Sequence, residues 1–172
     1  GEIVDGMANL AKKLGEESVG AANEFENSAN QVQASTGLSA DAMREYEKVM
    51  DEVYRNNYGD NFEDVGEAIS IIAQNMGELD PSQMQKIAES SITLRDTFDF
   101  DYQEQIRAVK MLMDTWGTSA EDAYNLIAQG AQNGLNKNGD LLDTINEYAV
   151  HYKQMGASAE DFFNSLSNGT AS

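Results

Sequence analysis

The chain has 172 residues, 41% of them apolar, with 14 glycines, one proline (Pro81) and no cysteine. That is long and apolar enough for a packed core and excludes a disulfide framework, a thiolate metal site and a disordered segment. Thirty acidic residues against 11 basic ones give a formal net charge of −19, which repels a phosphate backbone and excludes nucleic-acid binding as the expected activity.

The same charge keeps the chain in solution, either as a plain solvated surface or as a match for a basic partner. No apolar run approaches the roughly 18 residues that a membrane span needs. The opening GEIVDGMANL has neither a basic start nor an apolar stretch of the signal-peptide kind. It begins on Gly1 rather than Met, so the chain is expected to be a fragment of a longer protein.

Residues 1–35 read as one helix. Ile3, Met7, Leu10 and Leu14 repeat at helical spacing, then Val19, Ala22, Phe25, Ala29 and Val32 continue in a looser phase. Its second half is polar with a thin Ala/Phe/Val stripe, the pattern of a helix leaving a compact body or of a coiled-coil seam. Gly37 stops it.

From Gly37 the pattern becomes regular. Ser39, with Asp41 in the first turn, caps a helix carrying Met43, Tyr46, Met50 and Val53, closed by Gly59. Asn61 caps the next, with Val65, Ile69, Ile72 and Met76 inward, closed by Gly77. Asp80 caps a third, and Pro81 takes its first position, where a missing N–H costs nothing. That helix carries Met84, Ile87, Leu94 and Phe98 and ends in the turn Asp99-Phe100-Asp101.

Tyr102, Ile106, Val109, Met113 and Trp116 then repeat at 4-3-4-3 spacing up to Gly117. Ser119 opens a helix with Ala123, Leu126 and Ile127, whose end Gly130 and Gly134 loosen. Asp140 or Asn138 caps the next, with Leu142, Ile145, Tyr148, Tyr152 and Met155 inward, up to Gly156. Ser158 opens a last helix with Phe162, Phe163 and Leu166, which Asn168-Gly169 stops. No stretch alternates as a strand does.

The closing glycines Gly37, Gly77, Gly117 and Gly156 fall 40, 40 and 39 residues apart, and the units they open begin GLSADAM, GELDPSQM, GTSAEDA and GASAEDF. A period near 40 with two helices per unit lies just under that of HEAT and armadillo repeats. The expected fold is therefore all-α. Residues 1–36 form a helical or coiled-coil-like lead-in. Residues 37–172 form an array of antiparallel helical hairpins, with units 37–76, 77–116, 117–155 and a truncated 156–172.

The phrase Ser-Ala-Glu-Asp occurs twice, as Ser119 with Glu121 and Asp122, and as Ser158 with Glu160 and Asp161. Ser followed three residues later by an acid is the capping-box pattern, and acids in a first turn favour the positive end of the helix dipole. These residues therefore read as helix caps and not as a catalytic carboxylate pair. Asn136-Lys137-Asn138-Gly139-Asp140 resembles a calcium loop, but with Gly139 at the sixth position the first and twelfth ligands would be Gly134 and Ile145. It reads as a polar turn. His151 is the single histidine, too few for a zinc site without carboxylates from elsewhere. No catalytic residue, cofactor or metal is expected. The stripes Tyr102–Trp116 and Ile145–Met155 read as core, with a partner-binding face as the other reading.

The run Gly134 to Leu166 (GLNKNGDLLDTINEYAVHYKQMGASAEDFFNSL) resembles the tape-measure protein of long-tailed bacteriophages, particularly phages and prophages of Gram-positive bacteria. TGLSADAM at 36–43 and WGTSAEDAYNLIAQGAQNGL at 116–135 are similar to the same family, so the resemblance covers about residues 36–166. It implies a helical protein inside the growing tail tube, whose length sets tail length. The implied function is structural and non-enzymatic. The implied partners are other tail proteins (the tube, an assembly chaperone) or further copies of itself, without nucleic acid or membrane. The implied location is the virion tail, and the host cytoplasm during assembly. Two rival readings remain: an α-solenoid protein-binding scaffold unrelated to phage, and an acidic helical hydrolase of cell-wall glycan using two carboxylates.

Overall fold

A computed structural model describes residues 19–170. The predicted stripe of Ile3, Met7, Leu10 and Leu14 lies outside the described residues. Within them the chain is all-α: α1 (Val19–Thr36), α2 (Ala40–Arg55), α3 (Phe62–Met76), α4 (Pro81–Phe98), α5 (Tyr102–Trp116), α6 (Ala120–Gln132), α7 (Leu141–Gln154) and α8 (Ala159–Thr170). The chain divides into two compact units, one reaching to Ile92 and the other starting at Thr93, so the division falls inside α4.

In the first unit α1 packs along α3. Phe25, Ala29 and Val32 are buried, and the Phe25 and Phe62 rings meet edge-on at 5.1 Å. Gly66 allows the close approach: a Cβ there would stand 3.2 Å from Val32 Cγ2 and 3.6 Å from the Ser28 carbonyl oxygen. Polar bonds tie the ends of the pair. Glu24 Oε1 accepts from the Phe62 N–H at 2.9 Å, and Gln74 Nε2 donates to the Ser35 carbonyl at 3.0 Å. The thin apolar stripe of this helix is thus core rather than the mark of a helix leaving the body. A few large residues suffice because glycine lets the backbones approach.

Helix α2 also lies against α3 and buries Met43, Tyr46, Val49, Met50 and Val53. The Tyr46 hydroxyl donates to the Leu79 carbonyl at 2.6 Å and accepts from the Leu79 N–H at 2.8 Å, which clasps the loop before α4. The helix stops at Arg55, earlier than the predicted close at Gly59. Asn56 caps it and Asn57 takes φ 69°. Asparagine is among the few side chains that tolerate this left-handed backbone. In α4, Met84, Ile87, Ala88, Ile92 and Leu94 are buried, while Phe98 is half-buried.

In the second unit α5 packs against α7 and α6, and α8 against α6 and α7. Tyr102, Ile106, Val109 and Leu112 form the buried stripe of α5; Met113 and Trp116, predicted inward, are half-buried. Trp116 still ties the unit together. Its Nε1–H donates to the Ala157 carbonyl at 2.8 Å, and its ring lies 5.7 Å from that of Phe162. Helix α8 runs to Thr170, past the predicted stop at Asn168-Gly169.

The buried positions 25, 28, 29 and 32 of α1 recur as 105, 108, 109 and 112 of α5, two repeat periods later. The Ser39 cap likewise recurs as Ser119. The tightest packing, however, joins helices next but one in sequence, α1 with α3 and α5 with α7. The main packing partners of α6 are α5 and α8.

Candidate interaction surface

The residues of the repeated phrase sit at the joints between helices. Ser39 Oγ accepts from the Ala42 N–H at 3.1 Å, and Asp41 beside it pairs with Arg44. Ser119 Oγ accepts from the Asp122 N–H at 3.1 Å. At α8 the exchange is reciprocal: Ser158 Oγ accepts from the Asp161 N–H at 3.0 Å, and Asp161 Oδ2 accepts from the Ser158 N–H at 3.1 Å. Asp80 Oδ2 accepts from the N–H groups of Ser82 and Gln83 at 3.1 and 3.3 Å, with Pro81 in the first turn. Glu121 and Glu160 are exposed in their first turns. Gly37, Gly77, Gly117, Gly139 and Gly156 all have positive φ. At Gly117, φ 70° and ψ 22° place it in the left-handed region that ends a helix, and its N–H bonds back to the Met113 carbonyl. These residues are spread along the chain, each at its own helix joint.

One joint departs from the sequence prediction. Asp140 occupies the position before α7, but its side chain makes no capping bond. The cap is Asn136, whose Oδ1 accepts from the Leu141 N–H at 3.1 Å across the turn. The loop from Asn133 to Asp140 folds back on itself, with Gly134 at φ 91° and Gly139 at φ 75°, so a residue five positions away reaches the helix start.

Beside this turn lies a cleft of about 230 Å3, lined by Phe98, Asp99, Phe100, Glu104, Asn136, Gly139, Leu142 and Asp143. Among the described residues no group of three or more His, Asp or Glu side chains is placed to hold a metal, and His151 is exposed. A glycan hydrolase needs a carboxyl of raised pKa facing its substrate, with a second carboxylate across from it. Burial does push the Glu47 carboxyl up to about 7 against the opposing pull of Arg44. Yet Glu47 is sealed in the first unit, and the cleft is built from the second.

The distinctive surface is the C-terminal half of α7. Leu141, Leu142, Ile145 and Ala149 face the core. Tyr148, at 45% exposure, and Met155, at 72%, stand in solvent although the sequence pattern puts both inward; Val150 is also exposed. Tyr148 lies on α7 and Met155, seven residues or about two turns on, is the residue that caps its C-terminal end. Tyr152 lies between them, half-buried, its ring 4.9 Å from Phe162 and its hydroxyl 3.1 Å from Ser165 Oγ. The result is an apolar edge running from the core to the surface. Contiguous apolar surface is the kind of feature that a binding partner covers.

Sequence reasoning missed the roles of Gln105, Tyr124 and Glu47, all buried. Gln105 Nε2 donates to the Phe100 carbonyl at 2.8 Å and so holds the turn before α5. Its place directly before Ile106, on the buried side of a regular stripe, was the available signal.

A stretch of 47 residues is 45% identical to the "Probable tape measure protein" of Streptomyces phage phiC31. That stretch is 27% of this chain and 6% of the relative's length, so the chain corresponds to a small part of it. No solved structure matches the chain. A family model described as phage-related minor tail protein matches residues 54–172, which span α3 to α8 entire and exceed half of the chain. The chain belongs to the phage-related minor tail protein family.

Proposed function

We propose that this chain is a non-enzymatic structural segment of a tape-measure protein that acts in tail assembly and tail-length determination through protein–protein contacts. The observation that carries this reading is the family match over residues 54–172, with the identity to a tape-measure protein beside it. Physical features agree with it. The motif residues are used to stop and restart helices, and the exposed apolar side chains gather at one end of α7. Its partners are the tail tube, an assembly chaperone or further copies of the protein. It works in the host cytoplasm during assembly and in the virion tail afterwards. The approximately 40-residue period is the spacing of joints along this segment. Membership of a phage tail family sets aside the reading as a scaffold unrelated to phage.

A photo-crosslinking residue in place of Met155, carried in the full-length protein during phage assembly, tests the contact. The expected result is a crosslink to a tail protein, identified by mass spectrometry and absent when the same residue replaces Lys137, exposed in the loop before α7. Equal labelling from both positions, or none from either, contradicts a contact at this end of α7.

A further inference from the structure

Among the described residues of the first unit, Glu47 is a buried group that the scaffold does not explain. It lies on α2 with Met43 one turn before it and Met50 one turn after, both fully buried. Its own exposure is 7%, and its Oε1 is buried without a hydrogen-bond partner. Two repeat periods later the corresponding position on α6 is Ile127, fully buried. An acid thus stands where the other unit uses a hydrocarbon.

The neighbouring charges offset its burial only in part, because the pull of Arg44 is weaker than the desolvation. On α2, Arg44 is turned toward Asp41, and Asp51 is held by Arg55 at 2.7 Å. Glu24 on α1 caps Phe62, Asp64 on α3 accepts from the Asp60 N–H at 2.9 Å, and Glu89 on α4 accepts from Asn56 Nδ2 at 2.9 Å. These three are acids, so none of them offers Glu47 a cation. A buried carboxylate without a partner favours its neutral form.

We propose that Glu47 is a proton-operated latch on the first unit: protonated, it lets α2 seat fully against α3, and ionised, it loosens that helix while α6 stays closed. The raised pKa of about 7 supports this and puts the change near neutral pH. Because the folded-state value lies above the ordinary 4.5, the seat is strongest below about pH 4.5 and weakens as pH rises through about 7.

Hydrogen exchange of the whole chain at pH 6 and pH 8, corrected for the intrinsic chemical rate, is the test. Protection of α2 amides is expected to fall about tenfold between the two pH values, with α6 unchanged. In Glu47→Gln the α2 fall is expected to vanish. Glu47→Leu, which matches the hydrocarbon at Ile127, gives the same reading should the amide disturb the core. An equal fall in α2 for the wild type and both variants overturns the proposal, as does a fall of the same size in α6.

Discussion

At the scale of single residues, helix ends in this chain are set by short polar side chains whose oxygens take the otherwise orphaned N–H groups of a first turn. Ser39, Asn61, Ser119 and Ser158 each do so one turn ahead of their partner, a local spacing that residue type alone points to. Asp101 does the same, although the sequence pattern placed it only in a turn. The joint before α7 was not readable in this way, because the bond from Asn136 to Leu141 depends on how the loop doubles back. A direct comparison follows. Asn136→Ala should cost about 1 kcal/mol in urea unfolding, the usual value of a lost cap, whereas Asp140→Ala should stay within about 0.5 kcal/mol. Equal costs would mean that the cap is shared or misassigned.

At the scale of helices, hydrophobic spacing located nearly every element but misjudged which residues of α7 are core. Tyr148 and Met155 belong to an inward stripe by residue type and period, yet they lie at the edge of the face that α5 and α8 cover. Spacing sets a direction around the helix; the width of the covered arc depends on the neighbours. The same reason explains Leu112 replacing Met113 in the core stripe of α5. Thermal and urea unfolding should separate the two classes. Ile145→Ala should cost about 2–5 kcal/mol, as a fully buried large-to-small change does. Tyr148→Glu and Met155→Glu should change stability by no more than about 0.5 kcal/mol. A cost above about 2 kcal/mol for either would place that side chain in the core.

At the scale of the molecule, composition and capping were enough for an all-α chain, and the order of repeated phrases was enough for the tail family. The partner of each helix was not readable. Sequence period says where helices begin and end, but α1 against α3, and α5 against α7, is decided by which faces fit, as at Gly66 against Val32. The excess of acid over base adds no fold information, since a solvated surface of either sign satisfies the same core. Function at this scale rests on family membership and on a scaffold whose motif residues shape joints.

These residues are proposed to contribute length and contacts to a phage tail. Deleting residues 37–155 in frame from the full-length gene, followed by electron microscopy of the virions, tests this directly. Shorter tails are expected, by up to about 180 Å if the segment counts at the 1.5 Å rise of a helix. Infectious virions with tails of unchanged length would contradict it.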